Sequence, residues 1–245
     1  MKRVLLFLLL FLILAPRAAG AGGVNLAWGP GCWGENPSNY KAFACDTNSG
    51  SAIATGSFAP NADQPNFVGI EVIVDLQTNS ATLPDWWQFF NSGSCRQSAL
   101  SSSADFLQAP QVSCADPWQG LAAGGIAAYL TSTTLPAVPN GLPNAARLKI
   151  AYALATPSPL TGGTEYYGFR LTITYAKTVG TGSCPGCATD AYLTLNEIKS
   201  AENTGGVERN STPIVNACVY WQSGSMICWV PAHTTTWGRV KSLYR

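Results

Sequence analysis

Gly69-Ile70-Glu71-Val72-Ile73-Val74-Asp75-Leu76 places Ile70, Val72, Val74 and Leu76 at every second position. In a β-strand successive side chains point to opposite faces, so these four share one face and Glu71 and Asp75 take the other. On a helix the same four would scatter around the axis. The period recurs in residues 147–154, where Leu148, Ile150, Tyr152 and Leu154 oppose Arg147 and Lys149. It recurs again in 169–175, where Phe169, Leu171, Ile173 and Tyr175 oppose Arg170, Thr172 and Thr174. Further strands are predicted at 25–28, 52–58, 99–106, 126–130, 191–198 and 217–222, separated by clusters of Gly, Pro, Ser and Asn. About nine half-apolar strands must bury their greasy faces against one another, which predicts an all-β, two-sheet β-sandwich of jelly-roll-like kind.

Helix signals are few. Leu83-Pro84-Asp85-Trp86-Trp87-Gln88-Phe89-Phe90 carries proline where a first helical turn accepts it. Near the C-terminus, Thr236 could cap a short helix with Trp237, Val240 and Tyr244 on one side. Residues 131–144 and 201–216 show little pattern and read as long loops. No internal repeat or Gly/Ser-rich linker divides the chain, so residues 22–245 are expected to form one domain.

Residues 1–21 look like a leader for export. Lys2 and Arg3 precede an apolar stretch from Val4 to Leu14, and Ala19-Gly20-Ala21 has the small residues of a cleavage site. Pro16 and Arg17 interrupt the stretch before the roughly 20 apolar residues that a membrane span needs. Lys2, Arg3 and Arg17 leave with the leader, so 11 of the 14 basic residues remain against 13 acidic ones. That faintly acidic balance argues against nucleic acid as a partner, since phosphates call for a basic face. Beyond the leader, the longest uncharged apolar-leaning stretch, Leu121 to Leu130, is too short to cross a bilayer and contains paired glycines. A secreted product, extracellular or periplasmic, with no further membrane span is the expectation.

All eight cysteines follow the leader: Cys32, Cys45, Cys95, Cys114, Cys184, Cys187, Cys218 and Cys228. An even number in an exported chain points to disulfides. They fall into four local couples, Cys32 with Cys45, Cys95 with Cys114, Cys184 with Cys187 and Cys218 with Cys228, and sequential pairing is predicted. Cys184-Pro185-Gly186-Cys187 carries it best, because Pro-Gly suits a type II turn whose end Cα atoms lie within ~7 Å. A redox Cys-x-x-Cys should open a helix, yet a strand follows. A zinc site needs thiolates kept reduced, and the chain has a single histidine.

No constellation of catalytic groups stands out. Gly29-Pro30-Gly31-Cys32-Trp33-Gly34 matches a dinucleotide-binding glycine pattern in form, but no helix follows it. His233, the single histidine, has no nucleophile elbow to serve. Glu71 and Asp75 share a strand face, but four residues of strand put their Cα atoms about 13 Å apart, beyond the ~5–9.5 Å of paired catalytic carboxylates. Partners from other strands, such as Asp105 or Glu165, would keep a hydrolase open. Asp46-Thr47-Asn48-Ser49-Gly50 opens like a calcium loop, yet its twelfth position holds Ser57 in place of glutamate. No metal and no cofactor is therefore expected. Asn210-Ser211-Thr212 is a formal glycosylation acceptor placed in the second long loop.

Eight tryptophans are unusual in a chain of this size. Exposed indoles are one way a sandwich holds sugar rings, and Trp86, Trp87 and Trp118 are the predicted exposed set because they flank prolines and turns. Core packing is expected to occupy the others.

Several stretches resemble a family of uncharacterised secreted proteins of environmental bacteria, over most of the mature chain. They are Asp75-Leu76-Gln77 leading to Leu83-Pro84-Asp85-Trp86-Trp87-Gln88-Phe89, Cys95-Arg96, Trp118-Gln119-Gly120 with Ala122-Ala123-Gly124-Gly125-Ile126, Gly163-Thr164-Glu165-Tyr166-Tyr167, Cys184-Pro185-Gly186-Cys187 and the ending from Trp237 to Arg245. The resemblance implies export and a common fold, with no activity attached. More distantly, a long amphipathic strand, a Leu-Pro-aromatic turn and a Gly-Thr-Glu-led strand are similar to cohesin-type jelly-roll sandwiches. The expected role is a non-catalytic binding module, or a structural module of the cell envelope or extracellular space, with polysaccharide or a cell-surface component as partner. A secreted carbohydrate-active hydrolase using cross-strand carboxylates is the alternative.

Overall fold

The structure is a computed structural model, and it describes residues 22–29, 32, 38–90, 93–108, 113–132, 141–214 and 216–222. Eleven strands appear among these: Gly23–Trp28 (β1), Tyr40–Lys41 (β2), Ser51–Ala59 (β3), Gln64–Thr78 (β4), Leu100–Ser103 (β5), Ala123–Thr131 (β6), Ala145–Leu160 (β7), Tyr166–Thr174 (β8), Ala191–Glu202 (β9), Val207–Asn210 (β10) and Cys218–Trp221 (β11). They form a two-sheet β-sandwich. The smaller sheet runs β1-β3-β8-β5, the larger β2-β11-β9-β4-β7-β6, and β10 lies beside β9. Pairing is antiparallel except between β11 and β2. The chain crosses between sheets repeatedly and turns back within the larger one at β6–β7 and β9–β10, which is the jelly-roll-like habit.

Strands β4, β7 and β8 alternate over their apolar stretches as their residues require. In β4 the side chains of Ile70, Val72, Val74 and Leu76 are buried, while Glu71 is exposed and Asp75 half-buried. β7 and β8 behave likewise, burying Leu148, Ile150, Tyr152 and Leu154, then Phe169, Leu171 and Ile173, with Tyr175 buried just past the end of β8. Burying each such side chain contributes about 1.5–3 kcal/mol. β4 is held centrally, pairing with β7 through Val72↔Ile150 and with β9 through Val72↔Ile198.

One flank of the sandwich is closed by main-chain bonds. Val24 N–H donates to the Thr212 carbonyl at 2.9 Å, Ile214 N–H to that of Val24 at 2.9 Å, and Leu26 N–H to that of Asn216 at 2.7 Å. The free edge of β1 is thereby covered, and all six of its residues are buried. The second expected loop contains the end of β9 and all of β10, a short hairpin missed because β10 is polar and exposed at alternate positions. Asn210 belongs to β10 and is 2% exposed, so the glycosylation acceptor does not stand in a loop. At 83–90 the helix is one 3-10 turn, Asp85–Trp87; a second such turn follows β5 at Phe106–Gln108. The expected C-terminal helix lies outside the described residues.

The sequential pairing of Cys32 with Cys45, Cys95 with Cys114 and Cys184 with Cys187 is overturned. The bridges are Cys32–Cys114, Cys45–Cys187 and Cys95–Cys184, spanning 82, 142 and 89 residues. Cys218 is also disulfide-bonded; Cys228, its expected partner, lies outside the described residues. The reason is visible in the Pro-Gly segment. Its hydrogen-bonded turn runs from Gly186 to Thr189 (3.2 Å), Cys184 N–H is taken by the Lys177 carbonyl at 2.8 Å, and the Pro185 carbonyl by Trp86 N–H at 2.9 Å. Gly186 has φ +111° and lies so close to Pro84 that an added Cβ would sit 2.3 Å from the Pro84 Cβ. The two thiols therefore reach two different loops.

Candidate functional site: a groove between edge strands

Opposite the closed flank, β5 ends the smaller sheet and β6 ends the larger. Between them open two adjoining hollows that share Ser102. The first, about 250 Å³, is lined by Ser102, Ser103, Asp105, Gly124 and Tyr152. The second, about 550 Å³, is lined by Phe90, Gln97, Leu100, Ser101 and Ile126.

The polar groups of the first hollow are held by the strands beneath them. Ser102 stands two positions after the buried Leu100, on the same face of β5, and so turns between the sheets, where its Oγ lies 2.6 Å from the Tyr152 hydroxyl of β7. Ser103 Oγ accepts from the Asp105 N–H at 3.0 Å, and Asp105 Oδ1 accepts from the Leu107 N–H at 3.0 Å. Tyr167 donates its hydroxyl to the Ser103 carbonyl at 3.1 Å. Burial pushes the Tyr152 phenol above its ordinary pKa, against the opposing pull of the Ser102 hydrogen bond and the Arg170 charge. Burial does the same to Tyr167, so both stay neutral hydroxyls at physiological pH. Phe90, which lines the second hollow, is 42% exposed. The site presents hydroxyls and one carboxylate at one end and apolar surface at the other.

Apart from Asp105, the residues singled out from sequence fall elsewhere. Trp86, Trp87 and Trp118 are each 0% exposed, so none is a surface platform. Trp86 stacks under the Arg96 guanidinium at 3.6 Å and packs 5.1 Å from Trp221, which also lies 5.5 Å from Trp87. The indole of Trp118 donates to the Tyr167 and Gly168 carbonyls and packs 5.9 Å from Tyr152, which makes it the wall behind the groove. Flanking prolines and turns misled because these turns fold inward over the ends of the sandwich. Trp33, Trp229, Trp237 and His233 lie outside the described residues.

Glu71 and Asp75 are both in ion pairs: Asp75 takes two bonds of 2.7 Å from Arg147, and Glu71 pairs with Lys199 at 2.8 Å. Of the cross-strand candidates, Asp105 lines the groove, whereas Glu165 is buried and accepts from Ser57 Oγ. In the 46–50 loop, Asn48 Oδ1 accepts from the N–H groups of Thr178 and Val179, and its amide donates to the Val179 carbonyl. That side chain fastens a loop. Ser102, Ser103 and Tyr152 were not singled out, although a serine two positions after Leu100 breaks the apolar face of a strand and marks the place.

Comparison of the chain with known family models and with curated proteins finds no match.

Proposed function

We propose that this protein is exported and acts outside the cytoplasm as a non-catalytic binding module, holding a saccharide unit of a polysaccharide or cell-surface glycan in the β5–β6 groove. The observation that carries this is the groove, where hydroxyls and a carboxylate adjoin apolar surface in the way that the polar rim and apolar face of a sugar ring call for. The cross-linking supports an oxidising compartment, because three disulfides do not persist where thiols are kept reduced. The ion pairing of Glu71 and Asp75 supports binding over hydrolysis.

Titration with soluble polysaccharides tests the proposal, read by tryptophan fluorescence and by a glycan array. Trp118 backs Tyr152, so an occupied groove should change the emission. Asp105→Asn removes a charged acceptor and should weaken binding about tenfold, and Ser102→Ala should weaken it less. Silence on the array together with unchanged emission would reject a glycan ligand. Turnover of a polysaccharide that ceases in Asp105→Asn would replace binding by hydrolysis.

A further inference from the structure

Where the chain enters the fold, Gly22 and Gly23 pass through a slot with no room for side chains. A Cβ on Gly22 would lie 2.6 Å from the Asn61 backbone nitrogen, and one on Gly23 would lie 2.4 Å from the Thr212 carbonyl oxygen. From Gly23 onward every residue of β1 is buried. Gly22 N–H donates to Asn61 Oδ1 at 3.1 Å. Asn61 is itself held by Glu208, whose Oε1 accepts from the Asn61 N–H at 2.6 Å and from its amide at 2.8 Å. Glu208 Oε2 accepts from the Gln64 amide at 3.0 Å. The carboxylate thus has three neutral donors, and among the described residues no cation pairs with it.

We infer that Asn61 and Glu208 form a receptor for the protein's own α-ammonium, created at Gly22 when the leader is cut after Ala21. The inference rests on the export reading and extends it to an atom. An amide nitrogen at residue 22 gives Asn61 one neutral hydrogen bond. A free α-ammonium gives the same bond with a positive charge, on the side chain of Asn61 that also bonds Glu208, a carboxylate with which no cation pairs among the described residues. A cut beyond Gly23 would remove the Val24–Thr212 closure from its place inside the chain and leave the slot empty.

The test has two arms. In the first, the full chain is expressed in an exporting bacterial host, and the N-terminus of the recovered protein is sequenced. Gly22 is expected. An unprocessed chain overturns the export reading, whereas processing at any other residue leaves export standing and overturns the receptor. In the second, protein starting at a free Gly22 is compared in melting temperature with the same chain acetylated at that amine and with a chain keeping Ala21. The free amine should melt about 1–3 °C higher, as a partly exposed ion pair in a chain of this size would give. Glu208→Gln, which keeps an acceptor for Asn61, should erase the difference. Should that variant fail to fold, about 1 M salt should erase it by screening. Equal melting of all three proteins, or a difference that survives both Glu208→Gln and salt, overturns the receptor.

Discussion

Arg96 shows why Trp86 is unavailable to a ligand. It is 2% exposed, one face of the indole is covered by its guanidinium, and its three nitrogens donate to the carbonyls of Trp86, Ala176 and Thr174. Burial lowers its pKa to about 10, which still leaves it a cation at neutral pH. It serves as a fastener joining the 3-10 turn to the end of β8. Buried tyrosines set the alkaline limit of the fold. Burial raises the pKa of Tyr129, Tyr152, Tyr167 and Tyr175 above the ordinary value. A folded-state pKa above the unfolded one gives stability that is fully present below about pH 10 and is lost as pH climbs through the folded value. Melting temperature should therefore be insensitive to these groups from about pH 7 to 9 and fall above about pH 10. Phenolate absorbance should appear together with loss of near-ultraviolet circular dichroism. Ordinary titration of these four in the folded protein, with a midpoint near pH 10, would contradict this.

At the scale of elements, the groove depends on how closely β6 lies against β7. Gly124 has φ +146°, and a Cβ there would lie 2.0 Å from the Ala151 carbonyl oxygen and 2.9 Å from the Tyr152 Cα. Those atoms are backbone and belong to the strand that positions Tyr152, so they have little freedom to yield. Gly124→Ala should cost about 2–4 kcal/mol in urea unfolding, through strain at a special backbone position. It should also weaken any ligand of the groove by displacing Tyr152. A stability within about 0.5 kcal/mol of the parent would show that β6 shifts freely. The central strand β4 meets the same strand β7 as tightly at Gly69, where a Cβ would lie 2.3 Å from the Tyr152 carbonyl oxygen.

Across the whole molecule, the disulfides hold the loops at the ends of the sandwich. Cys184 and Cys187 stand three residues apart yet tie the 95 loop and the 45 loop to the β8–β9 connection. Closing loops this long removes chain entropy from the unfolded state, on the order of 4–5 kcal/mol for each bridge taken alone. Peptide mapping without reduction should recover the Cys32–Cys114, Cys45–Cys187 and Cys95–Cys184 cross-links. Reduction should lower the melting temperature by well over ten degrees, given about 2–4 °C per kcal/mol. Recovery of a Cys184–Cys187 peptide would restore the sequential pattern.

The alternation in residues 69–76, 147–154 and 169–175 was enough to place three strands and their buried faces, since pleating is local and each residue's facing follows from its neighbours. The even cysteine count likewise announced cross-links. Which cysteines meet, whether Trp86, Trp87 and Trp118 see solvent, and that Ser102, Asp105 and Tyr152 share one groove depended on which loops and edges come together. Those encounters join residues far apart in sequence, and they are settled by the packing of one sheet on the other.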